Sequence, residues 1–278
     1  MKHIYLNLKR FDISPELGGV NRLASMDKWA ETIIINTQEP LKAYTPKETE
    51  FVMFFPESHI LLADQAKCAE SPVILGCQGV YRADTAVGGN FGAFTTNHTA
   101  NAMKQSGCGY ALIGHCEERN DKIGILAEAG VTDTAAVNRI LNQEIKAAQA
   151  AGLKVLYCIG EKDTELGHWD EVLREQLEIG LEGVDKSQVV IGYEPIWSIG
   201  PGKTPAGKDY ITKIARFVKE TTHGIDVVYG GGLKVDNAEM LASIEEIDGG
   251  LIALTRFQGQ IGFYPDEYIE IIRTYLGK

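Results

Sequence analysis

Eight short apolar runs, each followed by a polar loop and a helical pattern, set the strongest limit on how this chain can fold. They are His3–Leu8, Phe51–Phe55, Val73–Cys77, Tyr110–Ile113, Val155–Ile159, Val189–Tyr193, Val227–Tyr229 and Leu251–Leu254. Each is continuous and rich in Val, Ile, Leu or Tyr, as a strand buried on both faces is. Between them, Asn138–Ala151, Lys208–Thr222, Asn237–Ser243 and Pro265–Tyr275 carry apolar residues at three- and four-residue spacing, which predicts amphipathic helices. The alternation predicts parallel βαβ units. An open doubly wound sheet would alternate in the same way, but eight is a number of strands that closes a barrel. No linker or low-complexity stretch divides the 278 residues, so one domain spanning 1–278 is expected.

Charge narrows the partners. Lys and Arg number 27 against 38 for Asp and Glu, a formal net charge of -11. Nucleic acids and anionic membranes call for a basic surface, so neither is expected. A small anion remains possible where cations and backbone amides converge. The five cysteines, Cys68, Cys77, Cys108, Cys116 and Cys158, show no CxxC and no zinc spacing with His, and read as reduced thiols. The N-terminus has no apolar signal region and no run is long enough to span a bilayer, which gives a cytoplasmic expectation.

Chemistry concentrates at the strand ends. Asn7 and Lys9 are two residues apart, so on a strand they share a face. A lysine on the inner face of a barrel mouth is costly unless it serves an anion; an ordinary solvated lysine is the plain alternative. His115 follows Ile113-Gly114 at a strand–helix junction, where the helix dipole favours its neutral form. Glu194 ends an apolar strand and is followed by a stiff Pro-Ile-Trp and then a Gly-rich stretch, the make-up of a hinged lid. Closing a lid over Glu194 would desolvate it and raise its basicity. Gly202-Lys203-Thr204 imitates the end of a P-loop, but Trp197 stands where the first glycine is required, so that reading fails. Gly230-Gly231-Gly232 before a helix offers backbone amides for an anion, although a glycine run alone is a weak signal. Two segments, Arg10–Asp27 and Glu118–Thr134, look long for the loops after strands one and four and are expected beside the site.

Taken in order, the motifs Asn7-x-Lys9, Gly92-Ala93-Phe94-Thr95, Ile113-Gly114-His115-x-Glu117, Cys158-Ile159-Gly160-Glu161, Tyr193-Glu194-Pro195-x-Trp197-x-Ile199-Gly200-x-Gly202-Lys203-Thr204 and Tyr229-Gly230-Gly231 closely resemble the triosephosphate isomerase family from about Ile4 onward. The resemblance implies a (β/α)8 barrel in place of the open sheet. It also implies an aldose–ketose isomerase working through an enediolate, with no metal or organic cofactor. A glutamate base beside a neutral histidine is this family's well-known chemistry, taken over with the resemblance. Glu194 would then remove the proton α to the carbonyl, His115 would polarise the carbonyl, Lys9 would stabilise the negative charge and Asn7 would place the substrate. Glu117 would hold the site in register. Gly200 and Gly231 would offer amides to the phosphate, Pro195 to Thr204 would form the lid, and a homodimer would assemble through the Gly92–Thr95 loop.

Some positions depart from the family pattern. Gly232 replaces its serine after strand seven, Ala253 and Leu254 stand where two phosphate-binding glycines belong, and Leu8 replaces an aromatic residue. Arg256 is a candidate replacement cation, or else a surface residue. Asn97 and Glu118 replace an ion pair of the dimer contact. The proton-transfer half is thus intact and the phosphate-gripping half altered. Three readings follow: an isomerase of triose phosphates, a family isomerase for another short-chain sugar phosphate such as a tetrulose phosphate, or a non-catalytic binding barrel.

Overall fold

Every apolar run of the sequence becomes a strand. The computed structural model describes residues 1–199 and 203–277. Its strands are β1 (Lys2–Asn7), β2 (Thr49–Phe55), β3 (Val73–Cys77), β4 (Cys108–Ile113), β5 (Lys154–Ile159), β6 (Val189–Tyr193), β7 (Val227–Tyr229) and β8 (Gly249–Ile252). They pair in sequence order, all parallel, and β8 returns to β1 through His3 opposite Gly249 and Leu6 opposite Ile252. The sheet is therefore a closed eight-stranded barrel.

Helices cover its outer face: α1 (Trp29–Leu41), α2 (Glu57–Ala66), α3 (Ala100–Gln105), α4 (Cys116–Glu128), α5 (Thr134–Ala150), α6 (Trp169–Gly180), α7 (Lys208–Thr222), α8 (Val235–Ala242) and α9 (Pro265–Leu276). Strand parity sorts the side chains between two cores. Tyr5, Val52, Phe54, Tyr110, Leu112, Leu156, Cys158, Val190, Val228 and Leu251 fill the barrel. Their neighbours, such as Ile4, Leu6, Met53, Ile113 and Ile191, pack beneath the helices.

Two expectations need correction. Strand eight was expected at Leu251–Leu254 but runs Gly249–Ile252. It begins on glycines because β1 passes close by: a Cβ on Gly249 would run into the His3 carbonyl oxygen. Ala253 and Leu254 consequently belong to the β8–α9 loop. The segment Glu118–Thr134 is not a long loop, since α4 occupies most of it. Arg10–Asp27 is irregular as expected, with one 3-10 turn at Pro15–Leu17. It is tied down by Asp12, which is buried and paired with His59 of α2 at 3.0 Å.

Candidate active site

The parity that fills the barrel also delivers the site. Tyr5 points inward, so Asn7 does too. Val190 points inward, so Glu194, four residues on, stands at the C-terminal mouth. Both are buried, at 4% and 2% exposure. Gly114, at φ +80°, turns the chain after β4 and breaks the parity, leaving His115 as the N-cap of α4. Gly230 lets β7 pass behind the glutamate, because a Cβ there would come within 2.8 Å of Glu194 Cγ.

Around Glu194 the contacts are close. The Cys116 backbone N–H donates to Oε2 at 2.9 Å, and His115 Nε2 lies 3.2 Å from Oε1. The Glu117 N–H donates to His115 Nδ1 at 3.3 Å. A nitrogen that accepts carries no proton, so the neutral ring carries its proton on Nε2, facing Glu194. Burial pushes the Glu194 carboxyl above its ordinary pKa, and the nearby His115, the Cys116 N–H and Lys9 offset this only in part.

Lys9 has φ +41°, uncommon for a residue with a side chain. Asn7 Oδ1 accepts its N–H at 3.1 Å and helps hold it in that conformation. Its Nζ reaches Glu117 Oε1 at 3.1 Å. Gln78, the first residue beyond β3, was not singled out in the sequence. Its Nε2 donates to the carbonyls of Lys9 (3.1 Å) and Phe54 (3.2 Å) and so braces the Asn7–Lys9 turn. A single polar side chain ending an apolar run was its only signal.

A second group, which the sequence marked only as part of a family motif and gave no role, fixes the start of the expected lid. Glu161 is fully buried, and its Oε1 accepts from Trp197 Nε1 (2.8 Å), Tyr193 OH (2.9 Å) and Tyr210 OH (3.1 Å). Trp197, at the start of the expected lid, is thus pinned to a carboxylate beyond β5 and packs edge-on against a tyrosine of α7. Gly200 lies outside the described residues.

The phosphate end differs from expectation in one respect. Gly231 and Gly232 do lie together in the β7–α8 loop, which is clasped by Asn237: its Nδ2 donates to the Gly232 carbonyl at 2.9 Å and its Oδ1 accepts from Lys234 N at 2.8 Å. Arg256, by contrast, is committed. Its Nε and Nη2 both donate to Glu267 of α9, and its guanidinium lies 3.9 Å from the centre of the Tyr264 ring. That pairing neutralises its charge, so it is not a free cation for phosphate. Glu118 also turns inward. It accepts from Gly114 N at 2.6 Å and Lys122 Nζ at 2.8 Å, and shares a buried site with Glu144, whose carboxyl burial and the Glu118 charge push up to about 9.

Donor atoms of His115, Cys116 and Glu194 lie within 4.8 Å of one another, a grouping that a divalent ion could in principle use. The ring nitrogen that faces Glu194 is, however, the protonated one. The trio therefore fits a proton-transfer pair better than a ligand set.

The sequence matches the model of the family described as "Triosephosphate isomerase" over residues 26–273. The triosephosphate isomerase of Synechococcus sp. (strain RCC307) is 31% identical over 236 residues, covering 84% of this chain and 83% of the relative. That of Acaryochloris marina is 32% identical over 222 residues, covering 78% and 84%. The crystal structure of triosephosphate isomerase from Bartonella henselae superposes with a TM-score of 0.72 at 21% identity, covering 99% of both chains, which speaks for the fold. The family match begins after Asn7 and Lys9, whose place in the site rests on their geometry. With the glutamate, the histidine and the barrel in place, the chain belongs to the triosephosphate isomerase family.

Proposed function

We propose that this protein interconverts dihydroxyacetone phosphate and D-glyceraldehyde 3-phosphate. One observation carries the reading: a carboxylate buried to 2% exposure stands 3.2 Å from an imidazole whose other nitrogen accepts a backbone N–H. Glu194 removes a proton from C1 of the ketose, and the C–H electrons form the C1–C2 double bond of an enediolate. The His115 Nε2–H stabilises the charge arriving on the C2 oxygen, and the proton of the C1 hydroxyl is relayed to that oxygen. Return of a proton from Glu194 to C2 gives the aldose. Lys9 supplies positive charge beside the enediolate, Asn7 holds Lys9 in place, and Glu117 positions both Lys9 and His115. Backbone amides of Gly231 and Gly232, in the β7–α8 loop, serve the phosphate. A site closed over Glu194 excludes water, which would otherwise promote loss of phosphate from the enediolate.

The β8–α9 loop, with Ala253 and Leu254 in place of small residues, gives the second reading its footing: a longer ketose phosphate, such as a tetrulose phosphate. A coupled assay on D-glyceraldehyde 3-phosphate beside tetrulose phosphates decides between the two. Preferred turnover of the triose supports the first, and a preferred tetrulose moves the substrate to the second. No turnover of any member would leave a binding barrel. Assembly as a homodimer through Gly92–Thr95 belongs to the same reading, supported by the exposed loop in which Phe91 stands 90% exposed. A cytoplasmic location belongs to it as well: the five cysteines are all free thiols, which suits a reducing compartment.

A further inference from the structure

Resting on that reading, we propose that Lys234 is the cation that grips the substrate's phosphate, in the role first expected of Arg256. Its side chain folds back over the glycine run: Cε would lie 3.5 Å from a Cβ built on Gly232. Its Nζ stands 3.8 Å from the centre of the Phe257 ring in the β8–α9 loop. One lysine therefore spans the two loops whose backbone was expected to cradle the anion. The β7–α8 loop is itself tied to β8, the strand that leads into the second loop, since Leu233 N donates to the Leu251 carbonyl at 3.0 Å. The glycine run that begins the β7–α8 loop touches the base, because Gly230 backs onto Glu194.

The surrounding charges favour this lysine. Lys9 is paired with Glu117 and Arg256 with Glu267. Among the described residues no carboxylate forms an ion pair with Lys234. Burial lowers its basicity, and Asp236 restores only part of it through space. A half-buried ammonium without a counter-ion, held over an aromatic face, gains a strong electrostatic partner when a dianion arrives. In a chain of net charge -11, such a local cation is what lets a phosphate approach. It also answers the loss of glycines at 253 and 254, because a side-chain donor replaces backbone donors that Leu254 would crowd.

The test uses inorganic phosphate as the probe, titrated calorimetrically into the intact protein, into Lys234→Met, which keeps the stem on Phe257, and into Lys234→Arg. Thermal unfolding checks that each variant is folded, and Lys234→Gln serves if the methionine variant is not. The expected result is at least a tenfold weaker phosphate Kd in Lys234→Met, largely restored in Lys234→Arg. A parallel rise in KM for dihydroxyacetone phosphate, larger than the fall in kcat, is also expected. Equal phosphate affinity in wild type and Lys234→Met, or no phosphate binding by the wild type, would overturn the proposal. Weaker phosphate binding in the variant, with no triose turnover by the wild type, would keep Lys234 as an anion site and reject the isomerase reading alone.

Discussion

His115 Nε2 and Glu194 Oε1 lie 3.2 Å apart, so in the resting site the two groups of the proposed proton transfer are in direct contact. A raised pKa on Glu194 means that its carboxyl gains a proton, and loses its use as a base, at a pH above that of an ordinary glutamate. The acid limb of kcat/KM should therefore fall above pH 4.5. Glu194→Gln keeps the shape and can still accept from Cys116 N, so unfolding should barely change while kcat drops about a thousandfold. Stopped-point isomerase assays on both proteins check this, and a variant within tenfold of wild type would remove Glu194 from the role of base.

Glu161 carries three donors on one oxygen. Glu161→Gln replaces a full negative charge with an amide whose NH2 must face some of those donors. Part of the buried network is left unsatisfied, at a cost of about 1–3 kcal/mol. A fall of a few degrees in Tm by calorimetry, together with a fall in kcat from a loosened Trp197, is the expected pair. An unchanged Tm would mean that the cluster contributes nothing to holding the lid.

How far the sequence spoke depends on the kind of signal. Buried parallel strands announce themselves by apolar runs, and all eight could be read. The β8 boundary was missed because its first two residues are glycines, with no side chain to report burial. Asn7, Lys9 and Glu194 sit at or just beyond strand ends, where parity gives direction; His115 and Glu117 follow the Gly114 turn into α4, and the structure brings all five together. Gln78 escaped, and Glu161 was read only as part of a motif without a role, because their partners are carbonyls and aromatic groups tens of residues away. Whether Arg256 was free could not be read either: that depends on Glu267, eleven residues on, turning back across a loop closed by the Arg256–Gly262 bridge.

Phe91 is 90% exposed at φ +58°, and Val87 beside it is fully exposed, so the loop that carries them presents apolar surface with nothing of its own chain to cover it. If that surface docks on a second copy, Phe91→Asp should dissociate the protein. Asp tolerates a left-handed backbone, which keeps the loop's conformation. Sedimentation velocity at micromolar concentration should give a dimer for wild type and a monomer for the variant. A monomeric wild type would rule out the homodimer.

At the opposite, N-terminal end of the barrel, His3 sits between two carboxylates, Nδ1 at 2.7 Å from Glu50 and Nε2 at 2.9 Å from Asp226. Tyr5 and Tyr110 also donate to Glu50, at 2.9 and 2.6 Å. Burial works against the charge on Glu50, yet His3 and the tyrosines outweigh it and hold the carboxyl at about 2. A depressed acid stabilises the fold above its unfolded pKa near 4.5 and loses that contribution as pH falls toward 2, a change of about 3 kcal/mol. His3 runs the other way. Burial opposes its charge, but the hydrogen bonds to Asp226 and Glu50 raise its pKa, so its contribution is complete at low pH and is lost as pH rises through the raised value. Stability should therefore be greatest between the two. In denaturant titrations, Glu50→Gln should flatten the loss of stability between pH 4.5 and 3 and bring the alkaline loss to lower pH, because His3 keeps only Asp226. A variant whose stability tracks wild type at every pH, offset by a constant, would show that the cluster does not titrate with folding.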